Sequence, residues 1–246
     1  MKFRAVGNYI VFAFLLIGAV ALFFRPSDVP DAVPTAETAE TAEAEEVPET
    51  VFVIDAGHGG EDGGATVDGV SEKDINLSVS LKTADLCTLF GYGVRLTRTD
   101  DRLLYDEYGD LTDYSGKKKT YDLKNRLRIA EESNAKLFIG IHMNKFPEER
   151  YHGLQVWYSP NSEKSSLAAE YIRAYAKTNL DPSNERETKA AGKSIYILNR
   201  IKLPAVLVEC GFLSNGEERA KLVTPEYQSH LAAVIFASGA EYTAAN

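Results

Sequence analysis

The sequence predicts an α/β fold: a mixed, mainly parallel sheet with helices on both faces. Two observations carry this. Short apolar runs alternate along the chain with longer segments of helical period, the pattern of strands joined through crossover helices. Three of those runs, Val51–Ile54, Leu137–Ile141 and Ala205–Val208, are apolar throughout rather than alternating, as strands buried on both faces require. The 246 residues suit one such domain with appendages.

In chain order, the first appendage is residues 1–25, expected to be a membrane anchor. The span 5–24 is uncharged and about 20 residues long, enough to cross a bilayer. Lys2 and Arg4 precede it, which keeps the amino end in the cytoplasm and exports the rest. A cleaved signal peptide is the competing expectation, since Ala19-Val20-Ala21 has the small-x-small form. The apolar run continues past it through Leu22, Phe23 and Phe24, which favours an uncleaved anchor. Residues 26–50 hold eight acids, no base and four prolines, with Thr-Ala-Glu three times in succession. So charged a stretch buries too little apolar surface to offset ordering entropy, and a disordered acidic linker is expected. Of the net charge of −9, this linker carries most; residues 51–246 are mildly acidic and hold no basic block suited to nucleic acid.

Residues 51–246 form the expected catalytic domain. Val51–Ile54 reads as its first strand, breaking into Asp55, Gly57, His58, Gly59 and Gly60. A glycine-rich loop follows to Ser71, where a helix starts; Ser71 with Asp74 resembles a capping box. Leu77, Leu81, Leu86 and Leu89 are expected to form its inner face, and Gly91 to end it. Val94–Thr97 reads as a strand, and Arg98–Thr120 as a long polar loop of the kind that forms lids. A helix over Asp122–Glu132, with Leu123, Leu127 and Ala130 inward, precedes the strand Leu137–Ile141. Leu154–Tyr158 reads as a peripheral strand and Ser162–Thr178 as a helix with a stripe of Leu167, Tyr171, Ile172 and Tyr175. Ser194–Leu198 and Ala205–Val208 are the last expected strands. Thr224-Pro225 opens a final helix that packs through Tyr227, Leu231, Val234 and Ile235.

Cys87 and Cys210 fall in a helical and a strand pattern, as buried thiols rather than a disulfide framework. No CxxC pair exists, so a thiolate-bound zinc is not expected.

Three apolar strands end in a residue able to bind metal or move protons: His58, His142 and Glu209. Ligands in open α/β sheets sit at the carboxyl ends of strands, so these side chains can converge although far apart in sequence. Glu72, at the head of the first helix, can reach the same place, and Glu61 and Asp62 are rival ligands in the same loop. Two histidines and one carboxylate are the ligand set of a catalytic zinc with an open fourth position, and a second carboxylate beside it serves as general base. Taken singly, His142 suits a histidine capping a strand, and Glu72 suits a favourable place on the helix dipole. Glu209 is harder to explain away, because glutamate is rarely buried unless paired. His152 and His230 have no comparable setting and read as surface or packing residues.

Four stretches in order resemble the zinc-dependent N-acetylmuramoyl-L-alanine amidases of the amidase-3 family. They are Asp55-Ala-Gly-His-Gly-Gly-Glu-Asp-Gly-Gly-Ala65, Ser71-Glu-Lys-Asp-Ile-Asn-Leu77, Gly140-Ile-His-Met-Asn144 and Pro204-Ala-Val-Leu-Val-Glu-Cys-Gly-Phe-Leu-Ser-Asn215. The resemblance implies His58, Glu72 and His142 as zinc ligands, Glu209 as the catalytic glutamate, and peptidoglycan as substrate, cut between N-acetylmuramic acid and L-alanine. Ala56 and Cys210 stand where many members have proline and valine; neither should touch the metal. Lys119–Arg126, Gly153–Tyr158 and Ala190–Leu198, with the amino-terminal segment, are similar to the germination-specific amidases of the CwlD type, which act on spore cortex toward muramic-δ-lactam. A zinc carboxypeptidase or another peptidoglycan metallopeptidase is the alternative activity, and a protein partner that activates or restrains the enzyme is a further expectation.

Overall fold

In the computed structural model, residues 49–246 are described; the anchor and nearly all of the linker expected over 1–50 lie outside them. Among the described residues no helix is long and apolar enough to cross a membrane.

The chain runs through β1 (Thr50–Ala56), β2 (Thr66–Val67), β3 (Val70–Ser71), α1 (Glu72–Leu89), β4 (Gly93–Leu96), α2 (Lys118–Glu132), β5 (Leu137–Asn144), β6 (Gln155–Tyr158), α3 (Glu163–Asn179), β7 (Lys189–Ala190), β8 (Ala205–Phe212), α4 (Gly216–Leu222) and α5 (Pro225–Ala245). Six strands form one sheet in the order β4-β1-β5-β8-β6-β7, and β2 and β3 form a separate hairpin. Every pairing in the sheet is parallel except β6 with β8. The three apolar runs are its centre, β1, β5 and β8, as the absence of polar alternation requires.

Strand alternation sorts the core into two halves. Phe52, Ile54, Leu137, Ile139, Ile141, Val206 and Val208 face one side, where α1, α3 and α5 cover them. Val53, Phe138 and Ala205 face the other, under α2 and the segment 191–201. His142 and Glu209 alternate onto this second, more thinly covered side.

Several expectations about individual elements change. The inward face of α1 is Ile75, Val79, Ala84 and Cys87, with the polar Asn76, Ser80 and Thr83, rather than the leucines; Leu89 is 73% exposed. Buried Glu72 fixes the rotation of this helix, and residues three, four, seven and eight positions on share its face. Ser71 is the N-cap residue but makes no capping bond. The loop itself supplies the acceptors: Glu72 N–H donates to Ala65 O and Lys73 N–H to Gly63 O. In α3, Ala168, Ala169, Ile172 and Ala176 are buried while Leu167 is 41% exposed.

Ser194–Leu198 is a run of turns, not a strand. Its apolar residues cap the second face of the sheet, Ile197, Leu198 and Ile201 being buried. Asn161 pins the run by donating to Leu198 O and Ile201 O at 3.3 and 3.0 Å. The edge position goes instead to β7. The long loop after β4 is not a free flap in its first half. Leu103 and Leu104 are buried, Leu104 N–H donates to Asp122 at 2.8 Å, and Asn125 donates to Leu104 O at 2.6 Å. Cys87 and Cys210 are buried and free.

Candidate active site

β1, β5 and β8 end side by side, and the loop after β1 crosses over them. Gly57 N–H donates to Ile141 O at 3.1 Å, which draws that loop onto the end of β5. His58 then adopts φ 62°, a left-handed conformation uncommon outside glycine. Two buried arginines hold it there by binding three successive carbonyls. Arg126 donates to Ala56 O at 2.7 Å and to His58 O at 2.6 Å. Arg98 donates to Ala56 O at 2.9 Å and to Gly57 O at 3.1 Å.

Below His58, the Glu72 carboxylate is the hub. Its Oε1 lies 2.9 Å from His142 Nδ1 and 3.4 Å from His58 Nε2. Met143 N–H and Asn76 Nδ2 also donate to Oε1, at 3.1 and 3.3 Å, and Ala65 N–H donates to Oε2 at 2.7 Å. One ligand atom from each of His58, Glu72 and His142 lies within 4.8 Å of the others. Ligands about 2.0–2.1 Å from a tetrahedral zinc are roughly 3.3 Å apart, so the donor set and its spacing fit a metal ion.

The electrostatics agree with a cation site. Burial would push the Glu72 carboxyl up, but hydrogen bonds from His142 and His58 outweigh it and hold the group far below the ordinary range. Burial pulls the His58 imidazole down, yet Glu72 and Asp62 together hold it above its usual value. The surroundings of Glu72 and His58 therefore favour positive charge at this point.

Glu209 neighbours His142 across the β5–β8 ladder. Its Oε2 is fully buried and has no hydrogen-bond partner, an uncommon state for a carboxylate oxygen. Burial raises its pKa to about 7, with Glu72 adding to the rise and His142 and His58 opposing it. A carboxyl poised there changes protonation state near neutrality.

The remaining expected residues fall elsewhere. Asp62 binds the far nitrogen of His58, Nδ1, at 3.0 Å and is itself paired with Lys119 at 3.1 Å. It orients the imidazole from outside the cluster. Glu61 is exposed and pairs with Lys118 at 3.1 Å. His152 and His230 are at the surface.

Sequence reasoning missed the arginine clamp and the roles of two glycines. A Cβ on Gly57 would overlap the imidazole of His142, and one on Gly64 would crowd Glu72 and His58. Gly57→Ala should therefore displace His142 and lower kcat on peptidoglycan by about 100-fold, the scale of ångström misplacement. Gly192→Ala, which meets nothing within 4 Å, should leave kcat unchanged; equal kcat in both variants would refute the close-approach argument.

What these groups can do together points to a class: ligand-type side chains and a buried carboxylate, gathered at the carboxyl ends of the central strands, suit a hydrolase. Comparison with known proteins narrows it. Residues 52–238 match the N-acetylmuramoyl-L-alanine amidase family, and the chain belongs to that family. It is 33% identical over 186 residues, 76% of each chain, to the germination-specific N-acetylmuramoyl-L-alanine amidase of Bacillus subtilis. The CwlD amidase of Clostridioides difficile, solved in complex with the GerS lipoprotein, superposes with a TM-score of 0.73 at 38% identity, over 80% of this chain and 100% of that one. The amidase AmiC2 of Nostoc punctiforme superposes at 0.65 with 30% identity, over 80% and 98%. The protein is thus a peptidoglycan amidase.

Proposed function

We propose that the enzyme is a zinc amidase of the spore cortex, tethered outside the cytoplasmic membrane by residues 5–24. The observation that carries the metal reading is the meeting of His58, Glu72 and His142 around one point beside the unpaired oxygen of Glu209. When bound, zinc would make hydroxide available near neutral pH, by lowering the pKa of its water to roughly 7, and would polarise the scissile carbonyl.

The chain's residues do the rest. His58, Glu72 and His142 hold the ion, with Asp62 fixing the ring of His58. Glu209 accepts the proton of the attacking water and delivers it to the alanine nitrogen as the amide bond breaks. The products are a free lactyl carboxyl on muramic acid and a peptide with a free amino terminus.

The spore role rests on likeness to the germination-specific amidase. Removal of the peptide there is the step that allows the muramic acid to close into its δ-lactam. The C. difficile relative is bound to a lipoprotein, and a membrane-associated protein partner is proposed for this chain by analogy.

Digesting purified spore peptidoglycan and identifying the new ends by mass spectrometry tests the reaction. Free lactyl groups are expected; free D-alanine would instead make the enzyme a carboxypeptidase. In parallel, zinc per chain should fall from near one to near zero in His58→Ala, and an unchanged content would remove that histidine from the ligand set.

A further inference from the structure

Where the chain enters β6 and β7 lies a cavity of about 340 Å³ lined by Arg150, Tyr151, His152 and Arg186 among others. The β5–β8 register shifts between the pairs His142–Glu209 and Asn144–Phe212, so β8 carries one extra residue there. That bulge reverses the alternation and turns Phe212 to the side on which Glu209 and His142 stand. The Arg186 guanidinium lies over the Phe212 ring, 4.5 Å from its centre, and 5.8 Å from that of Tyr151. Phe146 packs edge-on to Tyr151, with ring centres 4.8 Å apart.

Arg186 is half-buried, and its guanidinium donates through Nε to one backbone carbonyl, His152 O, at 2.7 Å. Among the described residues neither it nor Arg150 is paired with a carboxylate; of the carboxylates nearby, Glu185 is engaged by Lys177 at 2.8 Å, Asp181 by Ser183, and Glu218 by the N–H groups of Gly153 and Phe212 at 2.9 and 2.7 Å. A planar cation resting on aromatic rings, with its outer edge free, suits a carboxylate from outside.

We propose that Arg186 is a specificity residue that binds the free α-carboxylate of the second stem-peptide residue, a D-glutamate linked through its side chain. This rests on the amidase reading above. The group that protonates the departing alanine nitrogen must lie on the peptide's side of the scissile bond. With Glu209 in that role, the peptide runs away from His58 and toward β6. From Glu209 to Phe212 the bulged strand lies opposite two residues of β5, about 7 Å at roughly 3.3 Å per residue. That leaves room for L-alanine and brings the next residue's carboxylate to the guanidinium.

The experiment compares muropeptides carrying D-glutamate with otherwise identical ones carrying D-isoglutamine, in which an amide replaces the carboxylate. Wild type should prefer the acid by about 10- to 100-fold in kcat/KM, chiefly through KM, the range of a charge-assisted bond. Arg186→Gln should bring that preference close to parity, and Arg186→Lys should restore part of it. Loss of folding alone would lower both substrates equally and leave their ratio intact. Equal rates on the two substrates in wild type, or an undiminished preference in folded Arg186→Gln, overturns the proposal. Failure of wild type to cut either one overturns the amidase reading instead.

Discussion

Glu209→Gln should abolish turnover and yet make the metal-free protein more stable. The amide keeps the shape but can neither accept nor return a proton, so kcat should fall by about 10³-fold or more, the scale of a lost general acid–base. The stability gain follows from burial. An acid whose folded pKa is raised costs nothing below its unfolded value and destabilises as pH rises through the folded one. For Glu209 that window runs from 4.5 to about 7. The full cost above it is roughly 3 kcal/mol at most. At pH 8 the chelated variant should melt on the order of 5 °C above chelated wild type, and the two curves should converge near pH 4.5. Calorimetry at the two pH values checks this; equal melting points at pH 8 would mean that the carboxylate finds solvent or a partner. A bound cation attracts the carboxylate charge, so in the loaded enzyme the acid limb of kcat/KM should lie below 7.

Arg126→Met should cost as much stability as the largest apolar truncations in the core. The guanidinium is 1% exposed and bonds Asp55 at 2.7 Å and Asp122 at 2.9 Å, besides the carbonyls of Ala56 and His58. Burial alone would pull its pKa down, but Asp55 and Asp122 more than offset this and hold it above the ordinary arginine value. Removing it leaves two carboxylates in the interior, and breaking such a pair costs about 3–5 kcal/mol. Arg126→Lys should recover little, because one ammonium cannot span these acceptors. The pH dependence identifies the cause. Burial pushes Asp55 up, but Arg126, Thr97 and His142 hold it below 3.8 in the intact protein, a stabilisation present above that value and lost as pH falls through the folded one. Without Arg126 the burial effect dominates, so the deficit should shrink between pH 7.5 and pH 4. Urea titrations should show this, and Asp55→Asn should recover part of the loss in the Arg126→Met background. A deficit that ignores both pH and Asp55 would make the arginine a packing residue only.

The sheet was legible because its central strands are buried on both faces, and β1, β5 and β8 therefore read as unbroken apolar runs. The positions of His58, His142 and Glu209 followed from the ends of those runs. What did not follow were features set by contacts distant in sequence. The leucine spacing of α1 points to the wrong face, because the place of Glu72 beside two histidines decides the helix rotation. Ser194–Leu198 has strand composition, but its apolar side chains lie against the sheet as turns and leave the edge to β7. Asp122 and Arg126, four apart on a helix, look like an ordinary surface pair. Only Asp55, a charge directly after an apolar run, hinted that they were interior.

The clasp of Arg98 and Arg126 on three consecutive carbonyls has one more consequence. Because the backbone under His58 is fastened by the protein's own groups, extracting the ion should leave an empty but correctly shaped socket. Chelation followed by zinc should restore full turnover within seconds, without the lag that renaturation imposes, and amide exchange over residues 55–58 should stay slow throughout. The enzyme would then behave as a receptacle finished in advance, with zinc arriving as a late and replaceable component.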